Sequence, residues 1–236
     1  MSARLPLIVT RADPGGAATA ARAAAMGLDV RHLPLFAAHA LPWTVPDPGD
    51  FDALLLTSAR AVELAGPGLA RLAGLPVHAV GAATAAAAAE AAGLTIEAVG
   101  DRDVQSLLDA MTSQGIARIL WLCGQDRSAF DARGAALVPL ACYAVDAVPP
   151  PPGWAEAIAT PAVLLAHSVR GARRLAELIP AGRGRLALAA ISAGVAAAAG
   201  EGWAAVAVAE RPDDAALLAE AHALCHKGRQ MGSFER

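Results

Sequence analysis

Short, uninterrupted apolar runs alternate along this chain with alanine-rich segments of helical length. Because the runs lack the regularly spaced polar residues of a strand with one solvated face, they predict strands buried on both faces. Strands that alternate with helices predict an α/β fold, with parallel sheets flanked by helices. The predicted strands are Leu5–Thr10, Ala53–Thr57, Val77–Val80, Ile96–Val99, Ile119–Leu122, Val163–Ala166, Leu186–Ile191 and Val206–Ala209. The predicted helices include Ala17–Met26, Ala59–Leu72, Ala82–Ala92 and Ala172–Leu178.

The apolar content is high, but alanine accounts for almost half of it. Of the 236 residues, 56% are hydrophobic and 63 are alanine. Long uncharged stretches such as Leu186–Gly200 are rich in alanine and glycine and fall short of the ~20 apolar residues that a bilayer span needs. The composition therefore argues against a membrane protein. The apolar run Leu5–Val9 is too short for the core of a signal peptide, which predicts a cytoplasmic protein.

The charged residues argue against a general nucleic-acid binder. The chain has 19 Lys and Arg against 22 Asp and Glu, a net charge of −3, which does not supply the basic field that nucleic acid requires. Cys123, Cys142 and Cys225 are odd in number and lack C-x-x-C spacing, which argues against a disulfide framework or a zinc site. The six histidines are scattered. The sequence therefore predicts no metal site.

Several segments recur at a spacing of about 110 residues. Phe51–Ser58 resembles Pro161–Ser168, and Ala79–Thr84 corresponds to Ala190–Val195. The chain therefore reads as two similar halves that form two similar α/β lobes.

Another pair of segments matches upstream of these copies. Leu7–Arg11 and Ile119–Gly124 each read as a strand that opens a turn and a helix, and these helices would end at Gly27 and Gly134. The match extends the repeat to the start of each half.

Two extended segments are candidate linkers between the lobes. They are Val30–Phe36 and Ala136–Val145, and each is followed by prolines that disfavour a helix. Two strands that cross together would place a cleft between the lobes. The residues alone leave open whether the lobes are in tandem or the linkers carry the chain across and back. The polar residues 226–236 predict a disordered tail.

Small hydroxyl residues and glycines follow the predicted strands, at the sheet edge where ligands bind in open α/β folds. They are Thr57, Ser58, Gly81, Thr84, Gly124, Ser168 and Ser192. One interpretation is helix capping and tight turns. The other is an anion site, since helix N-termini present unpaired N–H groups and a positive dipole end. Several such termini around one cleft favour a polycarboxylate or phosphate ligand.

Arginines follow the same strands and suit carboxylates, because a guanidinium binds them through two hydrogen bonds. Arg11 and Arg127 lie closest to their strand ends, and Arg60 and Arg170 lie a little further on. The other interpretation of each is a solvated surface arginine.

Tyr143 is the single tyrosine and lies in the second linker. A phenol can act as a general acid, but most tyrosines are packing residues, and Phe36 at the counterpart place in the first linker agrees with packing. The dinucleotide-binding, P-loop and nucleophile-elbow motifs are missing, so the chemistry needs no cofactor.

The ordered set of these weak motifs resembles the uroporphyrinogen-III synthase family, over nearly the whole chain to about Leu224. The motifs are Thr10-Arg11, Phe51–Ala53 with Thr57-Ser58, Val80-Gly81 with Thr84, Leu120–Gly124 with Arg127, Val138–Tyr143, Leu164–Ser168 with Arg170, the stretch after Ala190, and Pro212-Asp213 with Leu217-Leu218.

The resemblance implies lobe one from residues 1–35 and 148–236, lobe two from residues 36–147, and a two-stranded ladder between them. It implies a cyclising lyase of haem biosynthesis that converts hydroxymethylbilane to uroporphyrinogen III, with inversion of ring D and loss of water. No cofactor is implied, and we expect a monomer whose partner is the linear tetrapyrrole polycarboxylate. The matching residues make Tyr143 the catalytic acid that helps the substrate hydroxyl to leave. The substrate-binding set is Arg11, Thr57, Ser58, Gly81, Thr84, Gly124, Arg127, Ser168, Arg170 and Ser192.

Two motifs depart from the family pattern. Where the second lobe of the family has Ile-Gly-x-Thr-Thr, this chain reads Ile191–Val195, and where Ser-Pro is usual it reads Ser168-Val169. These departures leave two alternatives, a divergent inactive relative or a two-lobed module that binds an anionic small molecule without catalysis.

Overall fold

The computed structural model describes residues 4–100 and 103–231, and these form two compact units. Unit 1 comprises the described residues of Met1–Ala37 and Ala147–Arg236, and unit 2 comprises those of Ala38–Asp146. The chain therefore leaves unit 1, builds unit 2 and returns. Parallel sheets flanked by helices confirm the predicted α/β class. Across the described residues, no helix is both long enough and apolar enough to span a bilayer.

The elements alternate as the apolar pattern predicts. In chain order the strands are β1 (Leu7–Val9), β2 (Val30–His32), β3 (Phe36–Ala40), β4 (Ala53–Leu56), β5 (Val77–Val80), β6 (Ile96–Gly100), β7 (Arg118–Gly124), β8 (Ala136–Ala147), β9 (Ala162–Ala166), β10 (Leu186–Ala190) and β11 (Ala205–Val208). The helices are α1 (Gly15–Ala25), α2 (Ala59–Leu64), α3 (Ala82–Ala92), α4 (Val104–Ser113), α5 (Trp154–Ala159), α6 (Val169–Leu178), α7 (Ala193–Ala198) and α8 (Asp214–Met231). Short 3₁₀ turns cover Pro48–Asp50, Gly66–Leu72 and Arg183–Arg185.

Unit 1 contains a parallel sheet with the strand order β11-β10-β9-β1-β2. The register places Leu7 beside Val163, and Val163 beside Ala187. These residues form a core with the inner face of α8, whereas Ile8 and Leu164 are fully buried on the opposite face of the sheet. Burial on both faces explains why the strands read as continuous apolar runs.

One arginine caps the carboxyl ends of two helices of unit 1. Arg183 donates hydrogen bonds to the carbonyl oxygens of Ala176 and Ile179 at the end of α6, both at 2.7 Å, and to that of Ala199 at the end of α7, at 3.4 Å. Its guanidinium also lies 5.4 Å from the ring centroid of Trp203. The last carbonyls of a helix lack partners within it, so this side chain stabilises both helix ends.

Unit 2 contains a sheet with the strand order β3-β8-β7-β4-β5-β6, in which β4 to β8 are parallel. The Leu41 N–H bonds to the Cys142 carbonyl and the Val148 N–H bonds to the Leu35 carbonyl, so β3 runs antiparallel to β8. Both faces of the sheet are covered by helices. One face packs on α2 and α3, and the other packs on α4.

The two sheets share one arrangement of five strands, although the chain supplies them in different orders. In unit 2 the order is β8-β7-β4-β5-β6, and in unit 1 the matching order is β2-β1-β9-β10-β11. The strands β4 to β6 come from the first half of the chain and β7 and β8 from the second half. Unit 1 takes β1 and β2 from the first half and β9 to β11 from the second. The two halves of the sequence therefore exchange their first two strands.

Two helix predictions need correction. The predicted helix Ala59–Leu72 stops at Leu64 and continues as a 3₁₀ turn, because Gly66 has a φ of +67° and Pro67 lacks an N–H. The predicted helix between β7 and Gly134 is absent, since the described residues 125–135 are loop and turn. There the Asp131 carboxylate accepts the Arg133 N–H at 2.9 Å, and such a local bond competes with a helix.

Two further predicted segments, the first linker and the C-terminal tail, also differ from expectation. Val30–Phe36 is not one extended linker, because β2 belongs to the sheet of unit 1 and β3 begins at Phe36 in the other sheet. Residues 226–231, which belong to the predicted disordered tail, continue α8. Leu224 and Cys225, which precede these residues in α8, are buried in the core of unit 1. Residues 232–236 lie outside the described residues.

Candidate functional site

The turn after β4 holds two of the predicted hydroxyl residues in unit 2. The Ser58 hydroxyl accepts the Arg60 N–H at 3.2 Å and caps α2. The Thr57 hydroxyl accepts the indole N–H of Trp121, from the neighbouring strand β7, at 3.1 Å. Ser58 is therefore a helix cap, whereas the Thr57 side chain forms a hydrogen bond between the end of β4 and the neighbouring strand β7.

The turn after β5 depends on glycine. Gly81 has a φ of +83°, a left-handed conformation that residues with a Cβ rarely adopt, and it leads into α3 without a side-chain cap. Thr84 is buried in the first turn of α3. Because the exposed residues of this turn, Ala82 and Ala83, have apolar side chains, the polar groups that it presents at the sheet edge are those of the backbone.

Gly124 and Tyr143 are adjacent across the β7–β8 pair. The register places Gly124 beside Tyr143 just after a bulge at Cys123, and the Gln125 N–H bonds to the Tyr143 carbonyl at 2.8 Å. A Cβ on Gly124 would lie 2.8 Å from Cζ and 3.0 Å from Oη of the tyrosine. Gly124 is therefore required for space, and the ring of Tyr143 occupies that space.

A cation lies over the tyrosine. The Arg60 guanidinium, from the first turn of α2, is 5.9 Å from the centroid of the Tyr143 ring. The ring itself is partly buried and packs on the core beneath α2 and α3. The structure thus brings together the end of β7, Tyr143 of β8 and the start of α2.

Arg127 lies in the loop after β7, away from Tyr143. Its guanidinium donates to the Gln125 carbonyl at 3.1 Å. The loop covers a cavity of about 610 Å³, lined among others by Trp121, Arg127 and Phe130. Trp121 packs on the core beneath α4, so this cavity opens on the opposite face of the sheet from Tyr143.

In unit 1 a carboxylate gathers side chains from three other elements. Asp214, at the start of α8, accepts hydrogen bonds from Thr19 at 2.8 Å and from the Arg22 guanidinium, whose nearest nitrogen lies at 2.7 Å. His167 Nε2 lies 3.0 Å from the same carboxylate, and Arg11 Nη1 lies 3.6 Å away. We call these five residues the Asp214 cluster. It places the predicted Arg11 at the carboxyl ends of β1 and β9.

Burial and charge set the protonation of this cluster. Burial lowers the pKa of His167, the nearby Arg11 lowers it further, and the hydrogen bond to Asp214 only partly opposes this. Burial alone would raise the pKa of Asp214, but hydrogen bonds from Thr19, Arg22 and His167 lower it overall. A neutral His167 and an ionised Asp214 are therefore the favoured forms near neutral pH.

The remaining predicted residues of unit 1 lie at the starts of α6 and α7. The Ser168 hydroxyl accepts the Gly171 N–H at 3.0 Å, and the Ser192 hydroxyl accepts the Val195 N–H at 3.4 Å. The Arg170 guanidinium lies 5.2 Å from the ring centroid of Phe36. Both serines are therefore helix caps.

Sequence reasoning missed Asp214, Thr19 and Arg22 as members of this cluster. Asp213 caps α8 through the Ala216 N–H at 2.8 Å, so the acidic pair at the start of this helix reads as capping alone. Thr19 and Arg22 are separated from Asp214 by more than 190 residues. The sequence feature that could have indicated this cluster is His167, a polar residue that directly follows a buried strand.

Comparison with known proteins places the chain in a family. A family model described as uroporphyrinogen-III synthase HemD matches residues 17–219. Uroporphyrinogen-III synthetase from Helicobacter pylori is a structural neighbour with 16% identity and a TM-score of 0.62, over 94% of this chain and 99% of that one. A mutant uroporphyrinogen III synthase from Thermus thermophilus gives 23% identity and a TM-score of 0.45, over 94% and 99%. No curated protein matches significantly. Because the family model covers most of its length, the chain belongs to the uroporphyrinogen-III synthase family.

Proposed function

We propose that the chain cyclises hydroxymethylbilane to uroporphyrinogen III, with inversion of ring D and loss of water, and that Tyr143 is its catalytic acid. The family match supports the reaction and does not favour a non-catalytic module. The observation that supports Tyr143 is the space left by Gly124, where a Cβ would lie 2.8 Å from Cζ of the tyrosine. This arrangement holds the only phenol of the chain within β8, beside the carboxyl end of the parallel strand β7.

The proton balance of the reaction fits a single phenol. As the C–O bond of the hydroxymethyl group breaks, its electron pair leaves with oxygen, and the Tyr143 hydroxyl donates the proton that completes water. Inversion of ring D requires the electron-poor methylene carbon to bond first to the substituted α-carbon of ring D. The bond from that α-carbon to its original bridge carbon then breaks, and this bridge carbon bonds to the free α-carbon of ring D. The proton that the free α-carbon loses restores the phenol. The Arg60 guanidinium over the ring stabilises the negative charge that develops on the phenol oxygen.

We propose that the predicted set of residues binds the substrate carboxylates. Arg11, Arg127 and Arg170 supply guanidinium groups, although the chain as a whole is negative. A serine hydroxyl that accepts a backbone N–H retains its own O–H for a carboxylate oxygen. The substrate-binding set is Arg11, Thr57, Ser58, Gly81, Thr84, Gly124, Arg127, Ser168, Arg170 and Ser192. Under this proposal the units defined above are the two lobes that the family resemblance implies.

Product isomers test the reaction directly. Purified protein is incubated with freshly prepared hydroxymethylbilane, and the uroporphyrinogen isomers are separated by chromatography after oxidation. We expect the type III isomer, whereas a protein-free control gives the type I isomer by spontaneous closure. Only type I in the presence of folded protein would remove the assignment as a synthase.

We also propose that the protein is a monomer in the cytoplasm. Each unit buries its own apolar core without a partner chain. Sedimentation should give a mass near 23.7 kDa. A stable dimer at micromolar concentration would contradict the monomer.

A further inference from the structure

Two histidines on α8 form a close pair in unit 1. His222 and His226 are four residues apart, so they lie on one face of the helix. Their Nε2 atoms are 3.1 Å apart and their ring centroids 4.2 Å apart. Both residues are partly buried. The two ring nitrogens therefore already converge on one point beside the helix.

This separation matches two ligands of one metal ion. Metal–nitrogen bonds of about 2.0–2.1 Å to nitrogens 3.1 Å apart give an N–metal–N angle of about 100°. That angle lies between the ideals for tetrahedral and square-planar coordination. We propose that His222 and His226 form a bidentate site for a divalent transition-metal ion, with Cu²⁺ bound most tightly and Ni²⁺ and Zn²⁺ more weakly, as the general order of affinities requires.

The helix holds the pair in place before any metal binds. Leu224 and Cys225 are buried in the core of unit 1, and the Cys225 carbonyl accepts the Leu5 N–H at 3.2 Å. The face that carries the histidines is therefore fixed relative to the sheet. A pre-organised pair of ligands loses little conformational freedom on binding.

The hydrogen bond between the rings shows how the metal enters. In the hydrogen bond between the two Nε2 atoms, one ring is the donor and the other is the acceptor. When the donor ring moves its proton to Nδ1, both Nε2 atoms present lone pairs and a cation takes the place of the shared proton. No group of three or more His, Cys, Asp or Glu residues suited to a metal occurs in the described part of the chain. The two histidines are therefore the protein ligands that the described residues offer, and we expect water at other coordination positions.

The pair lies at the opposite end of the unit 1 strands from the Asp214 cluster, which contains the proposed substrate-binding residue Arg11. Leu5, which bonds to Cys225, precedes β1, so the His222–His226 pair is near the amino ends of the strands. The residues of the Asp214 cluster lie near their carboxyl ends. The metal site is thus independent of the proposed synthase reaction, and its expected effect is on the stability of α8. The sequence prediction of no metal site rests on the lack of clustered ligands and of an H-E-x-x-H motif, and two histidines four residues apart match neither pattern.

Metal titration of the full chain tests the proposal. Isothermal calorimetry with Cu²⁺ and Ni²⁺ should show one site per chain that is absent with Mg²⁺, which prefers oxygen ligands. The electron paramagnetic resonance spectrum of bound Cu²⁺ should show coupling to two imidazole nitrogens. Both His222→Ala and His226→Ala should weaken binding at least about ten-fold, because each removes half of a chelate. Each variant should retain the wild-type circular dichroism spectrum and synthase activity.

Two control variants separate the geometry of the pair from its composition. His39→Ala removes an exposed histidine that faces Asp146 and should leave the affinity unchanged. The double variant His226→Ala with Lys227→His keeps six histidines but spaces the pair five residues apart, away from a common helix face. It should bind as weakly as His226→Ala. Wild-type affinity in this double variant or in His222→Ala, or no one-to-one site in the wild-type chain, would overturn the proposal.

Discussion

Units 1 and 2 place different chemistry on the same arrangement of five strands. In unit 2 the carboxyl ends of the strands hold an aromatic group, Tyr143, with Gly124 and Arg60 against it. In unit 1 the equivalent edge holds the Asp214 cluster, a carboxylate bound by cations and a histidine. The repeated fold thus determines the positions at the strand ends, and the side chains at those positions determine the chemistry of each unit. Under the proposed function, the proton donor Tyr143 lies in unit 2, whereas the arginines proposed for carboxylates occur in both units, Arg127 in unit 2 and Arg11 in unit 1.

The largest effect is expected from Tyr143→Phe. This change keeps the ring against Gly124 but removes the proton donor, so turnover should fall about 100-fold with little change in KM or in the unfolding midpoint. The measurement is the rate of type III isomer formation at saturating substrate. Phe36→Leu is the control, because it changes an aromatic ring that lies against Arg170 and not beside Gly124, and it should leave turnover near the wild-type value. Wild-type turnover in Tyr143→Phe would place the proton donor elsewhere.

Gly124→Ala tests the position of the same ring. The new Cβ would lie 2.8 Å from the Tyr143 ring, so the tyrosine must move, and we expect turnover to fall about 10-fold. Gly74→Ala, in the same unit, meets nothing within 4 Å and serves as the control. Equal rates for the two variants would show that the placement of the ring is unimportant.

Asp214→Asn tests the charge cluster of unit 1. The amide keeps the shape of the side chain but cannot compensate Arg11 and Arg22, so the free energy of unfolding should fall by about 2 kcal/mol and the KM for hydroxymethylbilane should change more than kcat. Denaturant unfolding and steady-state kinetics measure the two effects. Asp213→Asn, one residue earlier, retains a good helix cap and should have almost no effect. A similar loss in both variants would assign the effect to helix capping alone.

The matched turns before α3 and α7 provide a smaller contrast. Gly81 has a φ of +83° and Ser192 a φ of −158°, so the serine that departs from the family motif makes an ordinary capped turn. Gly81→Ala should cost about 1–2 kcal/mol of unfolding free energy because the left-handed backbone disfavours a Cβ. Ser192→Gly should cost only about 0.3 kcal/mol. The reverse order in denaturant unfolding would contradict this interpretation of the two turns.

The smallest expected effect is on the pH dependence of stability and comes from His78, a buried histidine of unit 2. Burial lowers the pKa of His78 in unit 2 from its ordinary value of 6.5, and neither ring nitrogen has a hydrogen-bond partner among the described residues. The unfolded chain therefore binds a proton more readily, so stability is full above pH 6.5 and is lost as the pH falls below it. The unfolding midpoint of His78→Leu should fall less than that of wild type between pH 7.5 and 5.5. An identical fall would exclude His78 as the source.

The strand ends and helix caps follow from local sequence, and the side-chain partners at these ends do not. A serine or aspartate before a helix caps it through a residue two or three positions away, as Ser58 and Asp213 do, and such short-range contacts are visible in sequence. The contact between Gly124 and Tyr143 needs the register of two strands and a bulge. The Asp214 cluster joins residues from both ends of the chain. Neither leaves a periodic signal.

The sequence by itself determined that this protein has buried parallel strands, covering helices and two similar halves. Apolar periodicity and capping depend on neighbouring residues, and the repeat is visible when the two halves of the sequence are compared. Only the tertiary structure decided that the halves exchange their first two strands. The physical reason is that strands pair through backbone groups common to all residues, and a run that is apolar on both faces fits either sheet. The pairing of β1 with β9, and of β7 with β4, is therefore a property of the folded chain as a whole.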